Sequence, residues 1–278
     1  MHVRVTIEDL LNINYSEVVS EVSQFLKKFI EASNSRGYVI GLSGGLDSTT
    51  LLKLAIEAVG SERVYAIIMP EDGVTPVEDI EDSVDIASKL SVSYSLFFIN
   101  EVIEAYSKAV PFIDLSDKLP TGNLKARVRM NILYYYANKN NYLVLGTSDR
   151  TELLLGYFTK YGDGAADLLP LGCLYKTQVR RLAKHLNLPQ RIVEKKSAPH
   201  LWKNHYAEEE LGLSYSDIDL ILYALMDLGL SIEEASIATG RPLDMVLRVL
   251  QMHRRSRHKR ALPPIPRLSM VGEALREL

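Results

Sequence analysis

Between an apolar run at 38–42 and an apolar stretch at 49–59 lies Ser43-Gly44-Gly45-Leu46-Asp47-Ser48, a strand-loop-helix junction that constrains this chain more than any other segment. Two glycines let the backbone approach a ligand closely. The helix behind them offers unpaired N–H groups and a positive dipole end to an anion. Ser43 and Ser48 add hydroxyl donors. Asp47 is out of place beside a bare phosphate, yet a carboxylate is what a phosphate-bound Mg²⁺ ion takes from a protein. The junction therefore points to ATP with Mg²⁺. Without a ligand the same residues would be a tight turn in which Asp47 caps the helix. No lysine follows the glycines as in a Walker-type loop, and the spacing of Gly41, Gly44 and Gly45 does not fit the dinucleotide fingerprint.

Apolar spacing at 7–32 predicts one or two amphipathic helices. Strands then alternate with helices: strands at 38–42, 64–69, 94–99 and 142–146, helices at 49–59, 79–90 and 125–138. Such alternation predicts an α/β fold, doubly wound around a mainly parallel sheet, with helical additions at both ends. Ligands collect outside the carboxyl ends of the strands in such sheets, which brings 43–48 and the residues after Gly146 to one crevice. From Glu208 onward the pattern is helical, and 231–249 mimics a helix-turn-helix. Its second helix shows mainly Leu, Met and Val with Arg248 as its one basic residue before the end, whereas a recognition helix needs polar side chains. A helical hairpin packed on the main body is the expectation.

The chain has 278 residues, 47% hydrophobic and 24% charged, which supplies one large core or one core plus a helical appendage. A net charge of −3 argues against nucleic acid as the main partner. No stretch has signal-peptide character or the length of a membrane span, so a cytoplasmic protein is expected. Cys173 cannot pair within the chain and is assigned a structural role. The six histidines show no zinc spacing.

A second constellation is Gly146-Thr147-Ser148-Asp149-Arg150-Thr151-Glu152. Thr147 emerges at a strand's carboxyl end and Glu152 about one helical turn later. Asp47 and Glu152, from separate loops, suit a Mg²⁺ ion shared with phosphate oxygens and water; otherwise Glu152 only favours a helix N-terminus. The loop 156–167 is dense in glycine, aromatics and charge and is expected to bind a ligand. Lys176 opens a helix at 177–186, where its charge opposes the dipole unless an anion relieves the conflict.

The first motif resembles the pyrophosphate loop of the N-type ATP pyrophosphatases. Taken with Asn123-Leu124-Lys125-Ala126-Arg127-Val128-Arg129-Met130, the 146–152 and 156–171 segments, Leu174-Tyr175-Lys176-Thr177, residues 208–219 and 258–266, the chain resembles the ammonia-dependent NAD synthetases from about Ile7 to Pro266. The resemblance implies an adenine nucleotide alpha hydrolase-like domain with N-terminal helices at 1–35, an α/β core at 36–205 and a helical region with a basic tail at 206–278. It implies the last step of NAD biosynthesis: ATP-dependent amidation of deamido-NAD (nicotinic acid adenine dinucleotide) by ammonia, through an acyl-adenylate, giving NAD, AMP and pyrophosphate. ATP would be held by Gly41, Leu42, Ser43, Gly44, Gly45, Leu46, Asp47, Ser48, Thr147, Lys176 and Ala198, with Asp47 and Glu152 as Mg²⁺ ligands. Arg127, Tyr157, Lys160, Asp163, Asp167, His258 and Lys259 would hold deamido-NAD. Asp47, Asp163 and Lys176 would act in catalysis, Asp163 beside the ammonia.

Two departures stand out. Ala198 replaces an expected hydroxyl, leaving only its backbone for ATP, and Asn204-His205-Tyr206 replaces the usual Gly-Gln-Thr. The resemblance also implies a homodimer with deamido-NAD near its interface, to which Tyr134, Tyr135 and Tyr136 would add apolar area. The nitrogen would come as free ammonia or from a separate protein. A tRNA-modifying pyrophosphatase is the main rival, using the basic run Arg254, Arg255, Arg257, Lys259 and Arg260; an ATP sensor without turnover is a second.

Overall fold

A computed structural model describes residues 4–266. Four parallel strands, β1 (Gly37–Gly41), β2 (Val64–Ile68), β3 (Ser93–Leu96) and β4 (Tyr142–Leu145), lie in the order β3-β2-β1-β4. Strand order reverses between β1 and β4, so the loops leaving these two diverge and open a crevice, the place where doubly wound sheets bind ligands.

Alternation along each strand decides which layer it feeds. Tyr38 and Ile40 of β1, with Leu145 of β4, join the core formed with α2 (Tyr15–Ala32), α3 (Leu46–Val59), α4 (Val77–Lys89) and α8 (Lys176–His185). Val39, Ile67 and Val144 face the other way, onto α5 (Asn100–Ala109) and α6 (Lys118–Asn140). A separate cluster joins α1 (Ile7–Leu11) and α7 (Arg150–Leu155) to the C-terminal helices α10 (Ala207–Leu211), α11 (Tyr215–Leu222), α12 (Ile232–Thr239) and α13 (Leu243–Arg255). A short α9 (Gln190–Val193) precedes the long loop that leads to α10.

Several boundaries differ from expectation for identifiable reasons. α3 begins at Leu46 rather than 49, because Gly45 takes the N-cap position and Leu46 is buried in the core. α6 begins at Lys118 rather than 125: Pro120 falls in its first turn, where a missing N–H costs nothing. β3 ends at Leu96, and the following chain keeps only single bonds from Phe97 to Ile68 and from Ile99 to Pro70. The sheet is parallel throughout. α12 and α13 form the expected hairpin. Val246 and Val249 are buried and Arg248 donates to the Leu211 carbonyl at 2.5 Å, so the second helix serves packing. Of the C-terminal region expected to run to 278, residues 267–278 lie outside the described residues, as do residues 1–3.

Candidate active site

The glycine loop is built around one steric requirement. Gly44 has φ +73°, and a Cβ there would stand 2.2 Å from the Asp79 carbonyl oxygen, so only glycine lets α4 close against the loop. Gly45 receives no side-chain cap, which leaves the first N–H groups of α3 free for an anion. Ser43 Oγ and Ser48 Oγ lie 3.0 Å apart and brace the turn. Asp47 does not cap the helix. Its Oδ2 meets the Lys176 ammonium at 2.7 Å, and its Oδ1 is buried without a partner.

Lys176 resolves the dipole conflict foreseen from the sequence, with carboxylates already in the protein. Its side chain is 1% exposed, and Nζ lies 2.7 Å from Asp47, 2.8 Å from Glu152 and 2.9 Å from Asp149. Burial alone would pull the ammonium down, but the three carboxylates outweigh it and hold Lys176 well above its ordinary range. Three carboxylates share one cation, so the surplus negative charge in a desolvated site raises the acids. Burial pushes Asp149 up to about 7 and Glu152 up to about 8, with Lys176 opposing. Asp149 was not foreseen: it caps α7 by accepting the Glu152 N–H at 2.8 Å, and its other oxygen turns to Lys176.

These residues fit Mg²⁺. Asp47 and Glu152 reach a common cationic nitrogen, the orphaned Asp47 Oδ1 is available, and the donors are hard oxygens beside a phosphate-type loop. Among the described residues no group of three or more His, Cys, Asp or Glu side chains is arranged to hold a metal unaided.

A cavity of about 410 Å³ opens over this cluster. Gly41, Leu42, Ser43, Gly45, Leu46, Asp47, Ser48, Thr147, Glu152, Tyr157, Asp163, Ala198 and Lys259 all line it; Gly44 lies behind its loop and Lys176 beneath the carboxylates. The 156–167 loop forms one wall, as its composition suggested. Thr159 N donates to Asp163 Oδ1 at 2.9 Å, and Asp163 itself is exposed at the cavity wall. Arg127, Lys160, Asp167 and His258 do not line the cavity. Arg127 and Asp167 are exposed; Arg127 donates to the Lys160 carbonyl, Lys160 to the His258 carbonyl, and Asp167 accepts Val144 N–H. Cys173 is exposed and outside the cavity.

The loop 195–202, of which the sequence assigns only Ala198 to the site, also lines the cavity. Lys195 Nζ donates to the Gly44 carbonyl at 2.9 Å and pairs with Asp79 and Asp82 at 2.7 and 2.6 Å. His200 adds a 2.8 Å contact to Asp79, and Lys125 donates to the Leu201 carbonyl while pairing with Glu71. The loop is thereby fastened to the phosphate turn. Ser197 Oγ, beside Ala198, is buried and unpartnered, and Ser197 is part of the lining. No local pattern foretold these links, since each joins residues far apart in the chain.

The basic run is only partly free. Lys259 donates to the Gly156 and Phe158 carbonyls at 2.7 Å, and Arg260 to those of Leu153 and Leu154 at 3.0 and 2.9 Å. Both close the C-terminal end of α7. The tyrosines split as well: Tyr136 stacks on Tyr65 at 4.3 Å in the core, Tyr134 donates to Asp167, and Tyr135 is exposed.

The family model for NAD synthase matches residues 18–263. The NH(3)-dependent NAD(+) synthetase of Hyperthermus butylicus is 54% identical over 95% of both chains, and that of Staphylothermus marinus is 50% identical over 99% of both. Among solved structures, the NMN synthetase from Francisella tularensis is 32% identical with a TM-score of 0.80, covering 92% of this chain and 100% of its own. The NH3-dependent NAD synthetase from Campylobacter jejuni is 29% identical with a TM-score of 0.77 over the same shares. With the glycine loop, the buried lysine and the two carboxylates in one crevice, and the family model spanning nearly the whole fold, the chain belongs to the NAD synthase family.

Proposed function

We propose that this protein is an ATP-dependent ligase that amidates deamido-NAD with ammonia, releasing NAD, AMP and pyrophosphate. The observation that carries the reading is the meeting of Asp47, Glu152 and Lys176 beneath the Ser43–Ser48 loop. A carboxylate is a poor electrophile, so the nicotinate carboxylate must first be activated by attack on the α-phosphorus of ATP. Charge then develops on the departing pyrophosphate, which the free N–H groups of α3 would meet, while Lys176 would hold Asp47 and Glu152 in position. Asp47 and Glu152 would hold Mg²⁺, which supplies further neutralisation of phosphate charge. Thr147 and Ser197 would orient the nucleotide, with the backbone of Ala198. Tyr157 and Asp163 would meet the nicotinate end.

Arg127, Lys160, Asp167 and His258, away from the cavity, would grip the rest of the dinucleotide at a dimer interface. Exposed apolar side chains on the β3 edge and α5, including Phe97, Phe98, Val102 and Tyr106, support such an interface. A cytoplasmic location fits; among the described residues no helix is long and apolar enough to cross a membrane. The tRNA reading is weakened by the inward use of Lys259 and Arg260.

The test is mass-spectrometric product analysis after mixing the protein with ATP, Mg²⁺, deamido-NAD and ammonium. NAD and AMP are expected in equal amounts. ADP in place of AMP, or AMP release without NAD, would refute the reading. Nicotinate mononucleotide run in parallel separates the dinucleotide acceptor from the mononucleotide one that the Francisella neighbour's description suggests.

A further inference from the structure

Glu210, at the end of α10, lines the cavity and has no part in the contacts assigned to ATP, metal or dinucleotide. One of its oxygens is fixed: Tyr157 donates to Oε2 at 2.5 Å, and His205 Nε2 lies 2.7 Å from the same atom. His205 is 4% exposed and stacks on Trp202 at 3.6 Å, so the imidazole cannot swing away. This histidine belongs to Asn204-His205-Tyr206, the stretch that departs from the Gly-Gln-Thr of the resemblance. The other oxygen, Oε1, receives no protein hydrogen bond, and the Glu210 side chain is 41% exposed.

A second unpaired group belongs to another residue lining this cavity. Tyr215 Oη is buried without a partner, lines the cavity, and belongs to a ring 5.4 Å from Lys176 Nζ. A free carboxylate oxygen, an unpaired phenol and aromatic faces suit a small cation rich in N–H donors. The other charges near Glu210 are already engaged. Lys259 Nζ is held by the Gly156 and Phe158 carbonyls, while Glu152 pairs with Lys176 and Asp163 accepts the Thr159 N–H. Desolvation and Glu210 raise the Tyr157 phenol, which keeps it a donor.

Resting on the amidation reading, we infer that Glu210 is a further catalytic residue, binding ammonium through Oε1 and accepting its proton, with His205 and Tyr157 as positioning residues. One N–H proton passes to Oε1, and the freed nitrogen pair forms the C–N bond at the acyl carbon while the carbonyl pair moves to oxygen. As that pair returns, the C–O bond to the adenylate breaks and its electrons leave on AMP. A second N–H proton goes to water, giving the neutral amide.

The test compares wild type with Glu210→Gln in three assays: amidation by ammonium, amidation by hydroxylamine, which is neutral near neutral pH, and deamido-NAD-dependent exchange of pyrophosphate into ATP. Glu210→Gln is expected to lose about 10²-fold or more in kcat/KM for ammonium near neutral pH. The deficit should shrink as alkaline pH supplies free ammonia, while hydroxylamine use and exchange persist. His205→Ala, which leaves the carboxylate unsteered, should show a smaller loss confined to ammonium. Equal use of ammonium by Glu210→Gln and wild type overturns the assignment; so does parallel loss of exchange, which would mean the residue only holds the fold. Absence of exchange in wild type would instead refute the amidation reading itself.

Discussion

At the residue scale, two side chains separate binding from stability. Ser197 Oγ is buried without a partner, so Ser197→Ala removes an unsatisfied group and should leave the unfolding free energy unchanged or slightly higher. If that hydroxyl serves ATP, the KM for ATP rises by about tenfold, worth about 1.4 kcal/mol, with kcat nearly constant; an unchanged KM sinks the role. Asp149 tests the charge cluster. Its folded value near 7 lies above the unfolded carboxylate value, so its contribution is fully present below the unfolded pKa and is lost as pH rises through the folded one. Glu152, near 8, acts in the same sense. Without nucleotide or metal, urea-unfolding free energy should fall between pH 6 and pH 8.5 by about 1 kcal/mol or more. Asp149→Asn keeps a competent helix cap and should flatten that slope. A wild-type curve that is level or rising would contradict the cluster's charge balance.

At the element scale, α7 carries Glu152 and is only six residues long, so its placement depends on its ends. Asp149 and Glu152 form a capping box at the start. Gly156, φ +68°, ends it, and Arg260 and His253 close on its last carbonyls. Arg260→Ala should cost about 2 kcal/mol, the scale of charge-assisted hydrogen bonds to several carbonyls. It should also speed amide exchange through residues 152–157; exchange as slow as in wild type would show that the packing of α13 suffices.

What the sequence revealed here follows from distance along the chain. The glycine turn, Glu152 one turn beyond a strand, and the alternating strands and helices are local patterns, and they were legible. Asp149, Lys195, His205 and Ser197 were not, because their meaning comes from partners that only the folded chain brings near: Lys176 for Asp149, Gly44 for Lys195, Glu210 for His205. The start of α6 was missed because Pro120, in its first turn, costs the helix no hydrogen bond.

At the scale of the whole molecule, the crevice divides the proposed substrates between two surfaces. Most residues assigned to ATP line a cavity within one chain, whereas Arg127 stands exposed on α6, with Asp167 exposed against Tyr134 of the same helix, whose Tyr135 is 72% exposed. On the neighbouring side, Phe98 is 48% exposed at the end of the β3 edge. Apolar side chains left uncovered over an edge strand and two helices are the features of a surface that another copy buries. If a second copy covers them, light scattering gives twice the chain mass. Phe98→Glu with Tyr135→Glu should then yield a folded single chain, because neither side chain belongs to the core. The exposed dinucleotide contacts would be incomplete in that monomer, so the KM for deamido-NAD should rise by at least about tenfold while that for ATP stays close to wild type. A monomer that binds deamido-NAD as tightly as the wild type would place the whole acceptor site inside one chain, and Arg127 and Asp167 would then have no part in it.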